Sequence, residues 1–174
     1  LFEGISYLKS NTFVFGNPVF SEIDIRLFKN SIKEKYDIVL IHPQLRIKNI
    51  DDVVVLGIES RLAQVFRNMI SNAISFSPIR SEIAITATKI DGTVEIAVED
   101  NGPGIPEGKE TDIFNRFYTE RPEAEKFGSH SGLGLSISRQ IIETHEGKMH
   151  AENRRSDDGD VCGARFVVRL LVRP

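Results

Sequence analysis

The feature that most limits the possible folds is a long amphipathic segment, Glu59–Phe76. Its apolar residues recur with a period of about 3.6 residues, as on one face of a helix. They are Leu62, Val65, Phe66, Met69, Ile70, Ala73 and Ile74. Ser77 and Pro78 end the pattern, because proline disfavours the helical conformation of the residue before it. The sequence therefore predicts a helix that buries one broad face.

Strand patterns surround this helix. Apolar and polar residues alternate over 81–89 and again over 93–99, and the Asp91-Gly92 pair between them is a strong hairpin signal. Further strands are predicted at 36–41, 53–58, 148–152 and 164–172, and further helices at 22–35 and 132–146. Because helices and strands do not alternate as βαβ units, we expect an α+β fold. The expected form is a two-layer α/β sandwich with helices on one face of a mixed, mostly antiparallel sheet.

Composition excludes several classes of function. The 174 residues carry a formal net charge of −3 without a basic stripe, so we expect no nucleic-acid partner. The apolar runs are strand-sized, so the chain is not expected to cross a bilayer. Cys162 is the single cysteine, which suits a reducing compartment such as the cytoplasm. Residues 1–19 show no clear period and are taken as a lead-in from an upstream domain, with 20–174 as one domain.

Two asparagines interrupt the apolar pattern of the long helix. Asn68 and Asn72 are four residues apart and therefore lie on the same side. Asparagine is a poor helix former, so two of them cost stability. They fit the polar edge of an amphipathic helix. They also fit a cleft in which amide oxygens meet a hydrated Mg²⁺ carried in by phosphates.

Two glycine-rich segments allow similar alternatives. Asp100 ends a strand before Gly102 and Gly104, which suit a turn. A carboxylate at that place can also accept a hydrogen bond from an exocyclic amine such as that of adenine. Gly132 and Gly134 open a helix, where backbone N–H groups favour phosphate, although a hinge explains them about as well.

Taken in order, these pieces resemble the ATP-binding catalytic domain of sensor histidine kinases, in the wider family of gyrase, Hsp90 and MutL. The motifs that carry the resemblance are the N box at 64–73 (QVFRNMISNA), the first glycine box at 100–105 (DNGPGI), the F box at 114–118 (FNRFY) and the second glycine box at 132–135 (GLGL). Segments 117–122 and 127–132 resemble, more narrowly, the ChvG type of alphaproteobacterial sensor kinase. The resemblance implies the Bergerat ATP-binding fold, with ATP and Mg²⁺ as cofactors.

The resemblance also implies roles for individual residues. Asn72 would be the Mg²⁺ ligand and Asn68 would assist at the phosphates, as the two catalytic residues. Asp100 would bind the adenine amine, and Gly102 and Gly104 would let the base seat. The remaining expected ATP-binding residues are Ile105, Phe114, Phe117, Tyr118, Ser131, Gly132, Leu133, Gly134 and Leu135. Of these, Phe114 and Phe117 would anchor a lid at 119–131, and 132–135 would present backbone N–H groups to the phosphates.

Asn68 also separates the relatives by reaction. The hydrolysing members, gyrase and MutL, carry a glutamate at the matching place that activates water, and an amide cannot act as that base. The resemblance therefore implies transfer of the γ-phosphoryl group of Mg-ATP to a protein histidine. Two alternatives stay open, namely a nucleotide-binding regulatory module without transfer activity and a Bergerat-type ATPase.

The acceptor histidine is not expected within this chain. None of the four histidines lies in the helical His-Glu or His-Asp context of a phosphoacceptor box. They are His42, His130, His145 and His150. The expected partners are a dimerisation and phosphoacceptor domain of the parent kinase and a response-regulator receiver domain. We expect a cytoplasmic domain of an inner-membrane sensor, without autophosphorylation by the isolated chain.

The chain departs from the family pattern where phosphate-binding cations are usual. Ser75 and Phe76 stand where many members have lysine and tyrosine, and Thr119 stands where a basic residue often follows the F box. Ala164 replaces a serine or threonine that often assists the adenine-binding aspartate through water. Substitute cations could come from Arg116, Arg121 or Lys126. Nucleotide affinity is the prediction that these departures affect most.

Overall fold

The computed structural model describes residues 21–24, 44–50, 53–119 and 132–172. Its strands are β1 (Ser21–Asp24), β2 (Gln44–Ile50), β3 (Val54–Gly57), β4 (Glu82–Ile90), β5 (Thr93–Glu99), β6 (Lys148–Arg155) and β7 (Val161–Leu171). Its helices are α1 (Glu59–Phe76), α2 (Gly134–Thr144) and a short 3₁₀ turn, Asp112–Phe114.

A five-stranded sheet forms the centre of the described fold. Its strand order is β2-β4-β5-β7-β6, in which β2 runs parallel to β4 and every other neighbouring pair is antiparallel. Strands β1 and β3 form a separate antiparallel pair, and a bridge between Val55 and Val172 attaches that pair beyond the end of β7. The mixed, mostly antiparallel sheet is therefore confirmed.

Both helices pack on one face of this sheet and against each other. On β5, Val94, Ile96 and Val98 are buried at alternate positions, as a strand with one face towards a core requires. They join a core that includes Leu62 and Met69 of α1, both fully buried. Each such aliphatic side chain stabilises the fold by about 1.5–3 kcal/mol on burial. The predicted α/β sandwich is confirmed.

The predictions for the first part of the chain needed correction. A helix was expected over 22–35, but residues 22–24 belong to β1, where Ile23 is buried and lies opposite Val55. The remainder of that helix, the strand at 36–41 and the lead-in at 1–19 lie outside the described residues. Strand β2 was not among the predicted strands, because four of its seven residues are polar and the alternation of Leu45 and Ile47 with Arg46 and Lys48 is short.

A buried histidine joins the end of α2 to the start of α1. The Nε2 atom of His145 accepts the Ile58 N–H at 2.9 Å, and Nδ1 lies 2.7 Å from the Ile141 carbonyl oxygen. Because Nε2 accepts, the proton belongs on Nδ1, and the ring is neutral in this arrangement. His145 therefore has a structural role in joining the two helices. None of the described helices is long and apolar enough to span a bilayer.

Candidate nucleotide-binding site

A cavity of about 400 Å³ lies between the C-terminal half of α1, the loop after β5 and the start of α2. Small-molecule sites in proteins have volumes of roughly 300–1,000 Å³, so one nucleotide base fits this space. Its lining residues are Asn72, Phe76, Asp100, Pro103, Gly104, Ile105, Pro106, Ile113, Tyr118, Thr119, Leu135, Ala164 and Phe166. Six predicted site residues meet here, namely Asn72, Asp100, Gly104, Ile105, Tyr118 and Leu135.

Asp100 is the buried carboxylate of the cavity, with a relative exposure of 3%. Its Oδ1 accepts two backbone hydrogen bonds, from Gly102 N–H at 2.9 Å and from Ala164 N–H at 3.0 Å. The Asp100 N–H in turn donates to the Ala164 carbonyl oxygen at 3.0 Å. Since both donors use Oδ1, Oδ2 remains available to a ligand in the cavity.

The electrostatic state of Asp100 follows from these contacts. Burial raises the pKa of this carboxyl above its ordinary value. The N–H groups of Ala164 and Gly102 and the charge of Arg154 oppose the increase without cancelling it. A buried carboxylate with one unused oxygen is stabilised by a ligand that brings a hydrogen-bond donor, and an exocyclic amine is such a donor.

The two glycines of the first glycine box pack against the protein. A Cβ atom at Gly102 would lie 2.9 Å from the Phe76 carbonyl oxygen, and one at Gly104 would lie 2.5 Å from Asn153 Oδ1. Gly104 also has a φ of +79°, which side chains rarely tolerate. Both glycines thus let the loop approach its neighbours closely, and their predicted role in seating the base stays a prediction.

Apolar side chains form much of the lining of the cavity that contains Asp100. Ile105 and Phe166 are buried at 7% exposure each, whereas Phe76 is 41% exposed. Flat aromatic ligands bind well between such surfaces. In the sequence, Phe76 stood out only as a departure from tyrosine, and no motif pointed to Phe166, which reaches the cavity from β7.

The two asparagines of α1 have different surroundings. The Nδ2 atom of Asn68 donates to the Gly134 carbonyl oxygen at 3.0 Å and to Ser138 Oγ at 3.1 Å. Asn68 thus ties α1 to the first turn of α2. Asn72, one turn further along α1, lines the cavity. The amide of Asn72 is therefore the one positioned to meet a ligand, and the catalytic roles of both residues stay predictions.

The F box and the second glycine box meet at the mouth of the cavity. Phe117 N–H donates to the Gly132 carbonyl oxygen at 3.0 Å, so the two ends of the predicted lid, 119–131, lie together. Phe117 is 72% exposed, whereas Phe114 is buried, with Arg139 5.2 Å from its ring centroid. Phe114 therefore packs into the core, and its role as an anchor of the lid stays a prediction.

The remaining predicted residues lie around the cavity. Gly132, Leu133 and Gly134 lead into α2 and do not line the cavity, although Leu135 does. Ser131 lies outside the described residues. Thr119 lines the cavity, although in the sequence it stood out only as a residue in the place of a usual cation. Arg121 and Lys126, two of the expected substitutes, also lie outside the described residues.

The donor set fits a metal ion that arrives with its ligand. Within 21–24, 44–50, 53–119 and 132–172, no three His, Cys, Asp or Glu side chains are grouped to hold a metal. The Asn72 amide is a neutral oxygen donor at the cavity, which suits Mg²⁺ bound mainly through phosphates and water.

Family models place this fold among known proteins. Residues 57–174 match the family described as histidine kinase-, DNA gyrase B- and HSP90-like ATPase. The chain belongs to this family. Membership confirms the predicted resemblance and supports ATP as the nucleotide of the cavity.

Individual members of the family give a narrower placement. The chain is 49% identical over 122 residues to the sensor protein ChvG of Rhizobium meliloti and 47% identical over 118 residues to that of Agrobacterium fabrum. These matches cover 70% and 67% of this chain but only 21% and 20% of the relatives. The chain thus spans about a fifth of their length.

Solved structures of the family have the same fold. The catalytic domain of histidine kinase ThkA superposes with a TM-score of 0.71 at 30% identity, covering 87% of this chain and 95% of that one. The mycobacterial sensor histidine kinase MprB superposes with a TM-score of 0.74 at 24% identity, covering 90% and 99%. The sandwich is therefore the fold of histidine kinase catalytic domains.

Proposed function

We propose that this chain is the ATP-binding catalytic domain of a two-component sensor histidine kinase. It transfers the γ-phosphoryl group of Mg-ATP to a histidine on a dimerisation domain outside this chain. The observation that carries the proposal is the buried carboxylate of Asp100 in a mostly apolar cavity, with Oδ1 held by two backbone N–H groups.

Adenine is the base that suits this arrangement. Its exocyclic amine donates to Asp100 Oδ2, while Ile105 and Phe166 contact the faces of the ring. Guanine would instead present a carbonyl oxygen to the carboxylate, and two acceptors repel each other. Burial increases this difference in binding free energy between adenine and guanine, because little water reaches the carboxylate to replace a lost hydrogen bond.

Phosphate binding falls to the other end of the cavity. Asn72 would hold Mg²⁺, which when bound neutralises charge on the phosphate oxygens. The Asn72 amide orients that end of the nucleotide, and the N-terminus of α2 contributes N–H groups from 132–135. Asn68 assists by fixing the first turn of α2 through Gly134 and Ser138. In phosphoryl transfer such positioning is the main contribution of the protein.

The described histidines support an acceptor outside this chain. His145 is buried, and its two ring nitrogens lie at hydrogen-bonding distance from Ile58 and Ile141. His150 is partly buried within β6. Neither histidine lines the cavity that Asn72 lines, so neither imidazole is placed to attack a phosphate bound there. We therefore expect no autophosphorylation by this chain alone.

The partners of the domain follow from the same proposal. They are the dimerisation and phosphoacceptor domain of the parent kinase and, downstream, the receiver domain of a response regulator. The parent is an inner-membrane sensor with this domain on the cytoplasmic side. Support comes from the ChvG relatives, which are named sensor proteins and are about five times as long as the matched region.

The test is a transfer assay with two separately made proteins. The whole 174-residue chain is mixed with ATP labelled at the γ position, Mg²⁺ and a dimerisation domain that contains the acceptor histidine. Label on the dimerisation domain, absent when its histidine is changed to alanine, is the expected result. Transfer that fails over a full range of Mg²⁺ concentrations contradicts the proposal.

A nucleotide-binding module without transfer activity is the second candidate. Ser75 favours it, because its hydroxyl donates to the Asn72 carbonyl oxygen at 2.9 Å and supplies no positive charge to phosphates. Tight ADP binding in calorimetry, together with no transfer in the assay above, would select this module. Sustained release of phosphate by the isolated chain would instead indicate a Bergerat-type ATPase.

A further inference from the structure

Asn153, in the second half of β6, is joined by its side chain to the backbone of the loop after β5. Its Oδ1 accepts Ile105 N–H at 2.6 Å, and its Nδ2 donates to the Ile105 carbonyl oxygen at 2.8 Å. One side-chain amide thus satisfies both backbone polar groups of Ile105, as a neighbouring strand would. Ile105 is itself a wall of the cavity, so this pair of bonds fixes the position of that wall.

The next residue of β6 holds the opposite end of the same loop. Arg154 Nη1 donates to the Asp100 carbonyl oxygen at 2.6 Å and to Asn101 Oδ1 at 2.9 Å. Its Nε lies 3.5 Å from Glu99 Oε2 at the end of β5. Because Asp100 begins the loop and Ile105 ends it, two consecutive residues of β6 hold both of its ends.

Glycines make this close approach possible. A side chain at Gly104 would collide with Asn153 Oδ1, so the loop reaches Asn153 only with glycine at that position. Gly163 of β7 lies opposite Arg154, and a Cβ atom there would collide with the Asp100 carbonyl oxygen. The arginine therefore crosses β7 at a position without a side chain. These two glycines and the pair Asn153 and Arg154 form one packing unit.

The distance between the Ile105 wall and the Asp100 carboxylate determines how a ligand can bind. A flat base between Ile105 and Phe166 hydrogen-bonds to Asp100 only if the ring lies at the correct height and angle. A wall that moves by a fraction of an ångström lets the ring settle elsewhere, and a hydrogen bond to a fixed carboxylate weakens steeply with angle. Such a shift therefore weakens the apolar contacts to the ring less than it weakens the hydrogen bond between the amine of the ring and Asp100.

We propose that Asn153 is a positioning residue that sets the selectivity of the site for an amine-bearing purine. It does so through Ile105, while Arg154 keeps the Asp100 end of the loop in register. The proposal rests on the proposed ATP site and adds a selectivity determinant to it. Asn153 itself touches Ile105 and not the base.

The test compares two nucleotides on the whole chain by calorimetry. One is Mg-ATP, and the other is Mg-purine riboside triphosphate, which is ATP without the 6-amino group. The variant is Asn153→Ala. The control is Arg155→Ala, since Arg155 is exposed on the same strand and donates to the Gly159 carbonyl oxygen at the far turn. Asn153→Asp keeps the size of the side chain and the acceptor for Ile105 N–H but lacks the donor.

With Asn153→Ala we expect ATP affinity to fall about tenfold and analogue affinity to fall less, so that selectivity for ATP decreases at least about threefold. Arg155→Ala should leave both affinities unchanged. Asn153→Asp should reduce selectivity in the same direction, and it decides the matter if Asn153→Ala fails to fold.

Three outcomes separate the possible failures. Equal losses for the two nucleotides, or an unchanged selectivity in a folded variant, overturn the positioning role, because a structural role alone lowers the melting temperature without changing the ratio. If the unaltered chain binds neither nucleotide, the proposed function fails, and this inference fails with it. If the unaltered chain binds ATP and the variants keep its selectivity for ATP over the analogue, the inference about Asn153 fails while the proposed function holds.

Discussion

At one end of the cavity, Asp100 Oδ1 accepts two backbone N–H groups, and Asn153 holds the adjoining wall through two further hydrogen bonds. At the other end, the side chain of Asn72 lines the cavity without a hydrogen bond to any residue of the described ranges. The base end is therefore assembled before a ligand arrives. At the phosphate end, the Asn72 amide is positioned to contact a ligand.

The difference shows where each part of the binding energy originates. Groups held in their bound geometry lose little entropy when a ligand arrives, so the base end gains affinity from preorganisation. In the proposed function, the phosphate end would depend on Mg²⁺ and on the N-terminus of α2. Ser75 and Thr119 carry no positive charge, so under this proposal Mg²⁺ would neutralise a larger share of the phosphate charge.

Asp100→Asn tests the base end and should have the largest effect. The amide oxygen can replace Oδ1 as acceptor for Gly102 and Ala164, which places an N–H donor against the donating amine of adenine. ATP affinity should fall by roughly 30-fold or more, since a charge-assisted hydrogen bond is lost and two donors face each other. Calorimetric titration with Mg-ATP measures the loss.

The melting temperature without nucleotide is the control for this change. It should stay close to that of the unaltered chain, because burial of the Asp100 charge carries a cost that asparagine avoids. Asp157→Asn, in the exposed turn after β6, should alter neither quantity. Equal losses of stability and of ATP binding would make Asp100 a residue of the fold and remove the contrast between the two ends.

Asn72→Ala tests the phosphate end. Without the amide oxygen, the factor by which Mg²⁺ increases ATP affinity should be smaller than in the unaltered chain by about tenfold or more. The rate of phosphoryl transfer should fall further. The measurement is ATP titration with Mg²⁺ and with a chelator. Ser71→Ala, exposed on the adjacent position of α1, is the matched control. A full Mg²⁺ effect in Asn72→Ala would exclude this residue as the metal ligand.

Asn68→Ala separates support from ligand contact within α1. The change removes two hydrogen bonds to the first turn of α2 and should lower the free energy of unfolding by about 1–3 kcal/mol. Urea denaturation without nucleotide checks this, with the exposed Arg67→Ala as control. If stability is unchanged, the bonds from Asn68 to Gly134 and Ser138 do not anchor α2, and its role is confined to the nucleotide.

The smallest effect concerns pH. Because burial raises the pKa of Asp100, its carboxyl protonates at a higher pH than an ordinary aspartate as the solution is acidified. ATP affinity should decrease through that range. The free energy of unfolding without ligand should change in the opposite direction. Because the pKa of Asp100 is raised in the folded state, this group stabilises the fold at a pH below its unfolded pKa, and that stabilisation is lost as the pH rises through the folded pKa.

Titration of ATP and of the analogue without the amine, at a series of decreasing pH values, measures this effect. The analogue shares the titration of the phosphates but has no amine for Asp100, so its affinity should decrease less. Parallel curves for the two nucleotides would show that Asp100 does not contact the amine.

The sequence predicted the elements whose signal is local. The bounds of α1 and β5 agree with the structure to the residue, because a strong helical period and a hairpin turn define them. Strand β2 was missed because its partner β4 lies far along the chain and its charged residues resemble a loop. The parallel pairing of β2 with β4 depends on a contact that no local pattern encodes.

The candidate site shows the same division. Asp100, Ile105 and Asn72 were selected from motifs and do line the cavity. Asn153 was not selected, because it lies 48 residues from Ile105 and an isolated asparagine in a strand has no distinctive spacing. Residues that act by holding others are found only when tertiary contacts are known.

We have proposed that the cavity beside Asp100 is an adenine-nucleotide site whose phosphate end is completed by Mg²⁺. The most direct measurement is calorimetric titration of the unaltered chain with ATP, in the presence of Mg²⁺ and in the presence of a chelator. We predict saturable binding of one ATP per chain in both conditions, with clearly higher affinity when Mg²⁺ is present. No saturable binding, or equal affinity in the two conditions, would contradict the account.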